Sequence, residues 1–393
     1  MIKNKERIKR EKKPFLMILL DFSPIIGAIL GLLIGACFVT LWGVSPITFF
    51  RELFKGAFGS TLAIGSTLNR ATPLLIIGAG TAIAFRAGAN NIGQEGQLFV
   101  GGIAAAVVAL LMPSLPKGLS VPAILVVAML FGMIFSGIAV LFRVLKGVNE
   151  LLTTLLLNYV GTLLLSALVN GPLASEEIVS YPQTDTFGSQ FLLKYWPNFG
   201  YLHSGIFIAL AIILLTGYYL WLTPGGMRLR MTGLSPLAAR TSGNNPTKIF
   251  VWSMLISGGL CAVAGAVEVI GCNDCLRQEF GSNLGFDGLA VALLGNTNPF
   301  GVLPAGIFFG ALRTGMQAMQ RSTGIPSVIL DLIKGSIMVF IMGGGALKLY
   351  IVANAKKKVV GKGSKKPQAE RKETSACEES SNLQEATPGG DEK

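Results

Sequence analysis

The sequence predicts an all-α polytopic membrane protein of roughly eight to ten transmembrane helices, with broken or re-entrant segments and an inverted repeat. Three observations predict it. Only 14% of the chain is charged and 51% is hydrophobic, whereas soluble domains carry about 25% charged residues. Charge-free runs recur along the chain, several of them near the roughly 20 apolar residues that cross a bilayer as a helix. A Gly-rich six-residue pattern interrupts the apolar sequence at two places.

A mean hydropathy of +0.59 excludes a disordered chain, and five cysteines in 393 residues exclude a disulfide scaffold. The single histidine, His203, leaves little for His-based zinc ligation or Ser-His catalysis. Nothing in the sequence points to a cofactor.

The elements follow in order. Residues 1–23 form a basic N-terminal segment, with Lys3, Lys5, Arg7, Lys9, Arg10, Lys12 and Lys13 against Glu6 and Glu11. That charge is expected on the cytoplasmic side of a first helix over 24–44. A signal peptide begins similarly, but this apolar run is long and lacks a convincing small-residue cleavage site. The transmembrane domain covers 24–352. Its further charge-free runs are 71–85, 96–116, 118–142, 151–175, 204–227, 249–267 and 288–312. The run 71–85 is only about 22 Å long as a helix and spans only if Arg70 or Arg86 snorkels or flanking residues extend it. A last stretch, 327–352, holds Asp331 and Lys334, which at i,i+3 can pair on one helix face. Residues 353–393 are polar, mixed in charge and poor in aromatics, the composition of a disordered cytoplasmic tail.

Loop charges give the orientation. Arg143, Lys146, Arg228, Arg230, Arg240 and Lys248 fall on loops expected inside, and Glu176, Glu177 and Asp185 on a loop expected outside. Two places resist. Loop 45–70 should be outside yet carries Arg51, Lys55 and Arg70. One pass per run also puts Lys356, Lys357 and Lys358 outside, unless 288–312 is re-entrant or a break is miscounted.

The repeated pattern is Asn91-Ile-Gly-Gln-Glu-Gly96 and Asn283-Leu-Gly-Phe-Asp-Gly288. Its glycines let the backbone leave the helix, and its amides supply donors and acceptors. Irregular backbone survives at membrane depth only where protein or cavity water satisfies it. Broken helices at corresponding places in two halves are the mark of an inverted repeat lining a substrate path. Glu95 and Asp287 have two readings: contact with the path, or capping of the half-helix that follows. Asn158, inside its apolar run, either bonds between helices or faces the path. Glu150 opens the same run, where an acidic residue suits a helix N-terminus. Cys272-Asn-Asp-Cys275 has C-x-x-C spacing, but no second pair or nearby histidine completes a zinc set.

Loop 223–249 predicts a short helix, Pro236 to Thr241, with Ser235 as its cap and Gly243 as its stop. Its alanines are expected to bury little within the chain, leaving them free to dock into another subunit. A plain basic connection is the alternative.

At this loop the chain resembles a known family. Gly233-Leu-Ser-Pro-Leu-Ala-Ala-Arg-Thr-Ser-Gly243 resembles the coupling-helix loop of ABC importer permeases of the branched-chain amino acid, ribose and nucleoside group. Ala71-Thr-Pro-Leu-Leu75, Ala84-Phe-Arg-Ala-Gly88 with Asn91-Ile-Gly-Gln-Glu-Gly-Gln97, Asn149-Glu-Leu-Leu-Thr-Thr-Leu-Leu-Leu-Asn-Tyr159 and Gly285-Phe-Asp-Gly-Leu-Ala-Val-Ala-Leu-Leu-Gly295 narrow it to the bacterial nucleoside and simple-sugar permeases, over about residues 60–345. The resemblance implies a two-permease core, usually a heterodimer, in the bacterial cytoplasmic membrane, a cytoplasmic ABC ATPase and an extracytoplasmic binding protein, often a lipoprotein; the basic residues at both ends of the chain place both termini inside. It implies no enzymatic activity here, and the chain has no G-x-x-x-x-G-K-[ST] loop for ATP. Carried over residue by residue, Gly233, Pro236, Ala238, Ala239, Arg240 and Gly243 would couple to the ATPase. Asn91, Gln94, Glu95, Asn158, Asn283 and Asp287 would form the translocation path. The cargo is expected to be a nucleoside, with ribose or another simple sugar as the alternative. An ion-coupled secondary transporter using Glu95 and Asp287 is the alternative of a different class.

Overall fold

The computed structural model describes residues 23–176, 181–200 and 202–344. Nearly all of the basic N-terminal segment and all of the charged tail lie outside the described residues, as does Glu177. No strand forms among the described residues beyond two isolated bridges, Gln183 with Arg277 and Tyr195 with His203.

The helices are α1 (Ser23–Thr40), α2 (Pro46–Phe58), α3 (Thr61–Arg86), α4 (Gln94–Leu111), α5 (Lys117–Lys146) and α6 (Glu150–Val169). After a long connection come α7 (Gly205–Leu222), α8 (Pro224–Leu234), α9 (Pro236–Thr241), α10 (Pro246–Glu268), α11 (Leu284–Leu294) and α12 (Pro299–Thr323). The last described helix is α13 (Ser327–Gly344). Among the described residues, 8 spans are long and apolar enough to cross a membrane: α1, α3, α4, α5, α6, α7, α13, and α10 continued by the π-helical turn Val269–Asn273.

Two points that the sequence left open are decided here. The run 71–85 is extended by its flanking residues, the second of the two ways it could span. It is the C-terminal part of α3, 26 residues and about 39 Å long. Ser60 caps it through the Ala63 N–H at 3.1 Å, so most of the presumed loop 45–70 is helical, as α2 and the first turns of α3. The run 288–312 is not one helix. It breaks at Gly295–Asn298, where Asn296 and Thr297 both take left-handed backbone, φ 53° and 51°. Gly295 and Gly301 approach so closely that a side chain on either would meet the other's backbone. Pro299 opens α12 and Asn298 caps it through the Phe300 N–H. Helix α11 is left with 11 residues, about 16 Å, half a bilayer.

Burial sorts the spans into a centre and a rim. The apolar windows of α3 and α4 are 83% buried, and that of α13 is 28% buried. Helices hidden on all sides form the centre, while rim helices keep an apolar face for lipid. Small residues bring the central backbones together. A Cβ on Gly101 would meet the Ala262 backbone, and one on Gly265 would meet the Leu98 carbonyl, so α4 and α10 pack almost backbone to backbone. At the rim, Gly27, Gly31 and Gly35 of α1 receive Phe340, Ile337 and Ile333 of α13 in antiparallel order. Gly344 therefore lies beside Ser23, so both ends of the described chain sit at one end of the bundle.

At the other end, residues 181–200 pack on the segment after α10. Thr184 donates to the Leu276 carbonyl at 3.0 Å, Phe187 to Asp274 at 2.8 Å and Leu193 to Ile270 at 3.0 Å.

Candidate functional site

Gly88, at φ 78°, turns the chain out of α3, and residues 89–93 run without helix until α4 starts at Gln94. Exposed peptide groups at this depth must find partners. Asn91 accepts the Gly93 N–H at 3.0 Å and donates to Gln97 Oε1 at 3.0 Å and Ser257 Oγ at 3.1 Å. Asn158 of α6 accepts the Gly96 N–H and donates to the Ile92 carbonyl, both at 2.9 Å. Gln94 donates to Thr81 Oγ1 at 3.2 Å and to the Asn91 carbonyl at 2.6 Å. The amides thus replace the helix bonds that the break removed.

The second copy of the pattern meets the first. Asn283 stands at φ 63° just before α11. One oxygen of Glu95 accepts the Asn283 N–H and the other the Gly285 N–H, each at 2.6 Å. The N-termini of α4 and α11 therefore face each other with one carboxylate between them. The sequence offered Glu95 as a cap for its own half-helix; the structure has it capping the half-helix of the other copy. Negative charge is favoured there because both helix dipoles present their positive ends. Asp287 does not repeat this role. It pairs with Arg313 of α12 at 3.0 Å.

Of the six residues read as the path, Asn91, Gln94, Glu95, Asn158 and Asp287 are buried, and Asn283 is exposed. Beside Ser282 opens a cavity of about 290 Å³, lined by Arg70, Glu268, Arg313, Gln317, Asp331 and Lys334 among others. Arg70 donates to Gln317 Oε1 at 2.7 Å, Arg313 to the Ser282 carbonyl at 2.9 Å, and Lys334 pairs with Asp331 at 2.6 Å. A neighbouring cavity of about 400 Å³ shares Arg70, Gln317 and Gln320 and adds Ser66 and Arg321. Sequence reasoning missed this face. Its signal was present: Arg313, Gln317 and Gln320 recur at i, i+4 and i+7, one polar stripe on an otherwise apolar helix.

His203 lies outside the spans, just ahead of α7. Its Nδ1 accepts the Gly205 N–H at 3.1 Å, and burial pushes its pKa down to about 4, so the ring is neutral. Its Nε2 is 3.7 Å from Cys272 Sγ, and Cys272 and Cys275 are both free thiols.

The short helix at 236–241 forms as expected. Ser235 Oγ accepts the Ala238 N–H at 3.3 Å, and Gly243 ends the turn at φ 77°. Ala239 departs from expectation: it is fully buried, while Ala238 and Arg240 are exposed. Leu234 and Leu237 are 88% and 74% exposed, an apolar tip on a polar loop. Gly233 rests on the Arg86 carbonyl with no room for a Cβ. Glu150, beneath it, pairs with Arg143 at 3.3 Å, while Asn149 caps α6.

Apolar helices packed around the buried α4 and the 11-residue α11, with a polar cavity beside the N-terminus of α11, form the architecture of a multi-pass membrane permease. Residues 63–342 match the family described as branched-chain amino acid transport system / permease component, and the chain belongs to that family. It is 30% identical to the nucleoside ABC transporter permease protein NupB of Lactococcus lactis, over 81% of this chain and 89% of that one. It is 30% identical to the guanosine ABC transporter permease protein NupP of Bacillus subtilis, over 85% and 96%. To the glucose ABC transporter permease protein TsgB13 of Haloferax volcanii it is 28% identical, over 85% and 90%. A second guanosine permease protein of the same Bacillus, NupQ, is 28% identical over 64% of this chain.

Proposed function

We propose that the chain is the translocation subunit of an ATP-driven ABC importer for nucleosides in a bacterial cytoplasmic membrane. The observation that carries the machine is the capped α9 with Leu234 and Leu237 standing free of the fold. Exposed leucines on a capped polar loop suit docking into a groove on a partner, here an ATPase subunit. Gly233, Pro236, Ala238, Arg240 and Gly243 shape this docking loop, and Ala239 anchors it. Hydrolysis of ATP belongs to that separate subunit. A second permease chain completes the core, as NupP and NupQ of one bacterium suggest by their shared guanosine designation. A binding protein delivers substrate at the 181–200 end.

The names of NupB, NupP and NupQ support the nucleoside reading, and TsgB13 supports a sugar as the second reading. The path follows the polar stripe of α12 and Arg70. Asn91, Gln94, Glu95, Asn158, Asn283 and Asp287 hold the broken helices that border it. The split of the run 288–312 into α11 and α12, each taken as a pass, makes the total even, which supports both chain ends on the cytoplasmic side.

The test is uptake of labelled guanosine by cells with and without this gene, with unlabelled ribose as competitor. Loss of uptake on deletion, indifferent to ribose, is expected. Unchanged guanosine uptake would overturn the nucleoside cargo.

A further inference from the structure

Helix α11 is held at both ends by one short stretch of chain. At its N-terminus Glu95 accepts the Asn283 and Gly285 N–H groups. At its C-terminal end Arg86 Nε donates to the Thr297 carbonyl at 3.0 Å and Nη2 to the Asn296 carbonyl at 3.1 Å. Arg86 and Glu95 bracket the non-helical connection between α3 and α4. Charge and dipole agree at both ends, since an anion suits a helix N-terminus and a cation a C-terminus.

The Arg86 end is also where the docking loop touches the bundle. Gly233 lies on the Arg86 carbonyl and the Gly88 N–H, and Gly88 at φ 78° lies on Gly233 in turn. The guanidinium is 5.5 Å from the Trp221 ring, and Arg230 of α8 stands 4.3 Å from that ring. Trp221 also donates to Asn298 Oδ1 at 3.4 Å. Asn296 and Thr297 are consecutive non-glycine residues in left-handed backbone, a conformation that persists only where surroundings hold it. Both carbonyls that Arg86 grips belong to these two residues.

We propose that Arg86 is the positioning residue that transmits movement of the docking loop to α11. The connection 87–94 and α11 form one strut, clamped by Arg86 at the loop end and by Glu95 at the helix junction. A displacement of α8 and α9 pushes on Gly88 and Arg86. Arg86 carries it through the Asn296–Thr297 turn to α11, whose other end borders the cavity. This rests on the ABC importer reading.

The experiment uses the complete transporter with its ATPase and binding protein, reconstituted in vesicles, and counts substrate imported per ATP hydrolysed. Arg86→Gln keeps some hydrogen bonding and loses the charge and the fork. Substrate per ATP is expected to fall roughly tenfold, the size of an ordinary coupling energy, while the hydrolysis rate stays within about twofold. Arg86→Lys, which keeps the charge and loses the paired grip, should fall between. An unchanged ratio would overturn the strut, as would transport and hydrolysis falling together in proportion. Should Arg86→Gln not accumulate, Arg86→Lys decides by the same ratio. Failure of the wild-type chain to assemble with any ATPase would instead overturn the importer reading.

Discussion

Glu95 and Asn283 stand in the two copies of one six-residue pattern, and the carboxylate of the first accepts the backbone N–H of the second at 2.6 Å. The repeat therefore closes on itself at the junction of α4 and α11. Glu95→Gln keeps the shape and removes the charge. One amide oxygen can replace one bond, and its NH₂ faces the other N–H. Hydrogen bonds to charged groups are worth about 1.5–3 kcal/mol, so the loss should be of that order. The check is thermal unfolding of the purified protein in detergent, which should show a lower midpoint. Glu95→Ala should cost more.

Framework and path residues should separate by readout. Asn158→Leu leaves the Gly96 N–H and the Ile92 carbonyl unpaired in a buried site, at about 1–3 kcal/mol each. It should lower the melting midpoint and the amount of protein in the membrane. Gln317→Ala strips a side chain exposed to the cavity. It should leave the midpoint nearly unchanged and raise the KM for uptake. Equal destabilisation by both variants would remove the distinction.

The tip of the docking loop is exposed, so changes there should spare the fold. Arg240→Glu together with Ala238→Trp should abolish uptake and leave the protein in the membrane at its normal level, read by immunoblot of membrane fractions. Ala239→Trp should behave differently, because Ala239 is buried: it should reduce the amount of protein itself. Normal transport by the double variant would sink the docking role.

His203 gives a pH dependence with a definite sign. Its folded pKa lies near 4, below the ordinary 6.5, because burial disfavours the imidazolium. Its contribution is complete above pH 6.5 and is lost as pH falls toward 4, since the unfolded chain takes up the proton first. Between about pH 6.5 and pH 5 the loss approaches 2 kcal/mol at most. Unfolding midpoints at about pH 7.5 and pH 5 should therefore differ, and His203→Gln should shrink that difference.

Much of this protein is legible in its sequence. Low charge and long apolar runs fixed an all-α membrane fold, because only helices or closed barrels satisfy the backbone in lipid. Ser235, Pro236 and Gly243 marked α9 to the residue, since capping and turn chemistry are local. Asp331 and Lys334 paired for the same reason, being one turn apart.

Tertiary structure decided what depends on distant partners. Charge counting stopped α3 at Arg70, although that arginine sits in a continuous helix with Gln317 of α12 as its partner. Run length passed over the break at Asn296 and Thr297, although Gly295 and Asn298-Pro299 mark a helix stop and start locally; that Arg86, far away in sequence, holds the carbonyls of the break was decided by packing. The six-residue repeat named Glu95 but not its partner, and a carboxylate caps whichever helix terminus the fold brings to it. Sequence determined that this is an all-α membrane protein and where its long apolar runs lie. Only the packed structure decided which buried groups satisfy one another and which face open space, because those are distances between segments that the linear order does not contain.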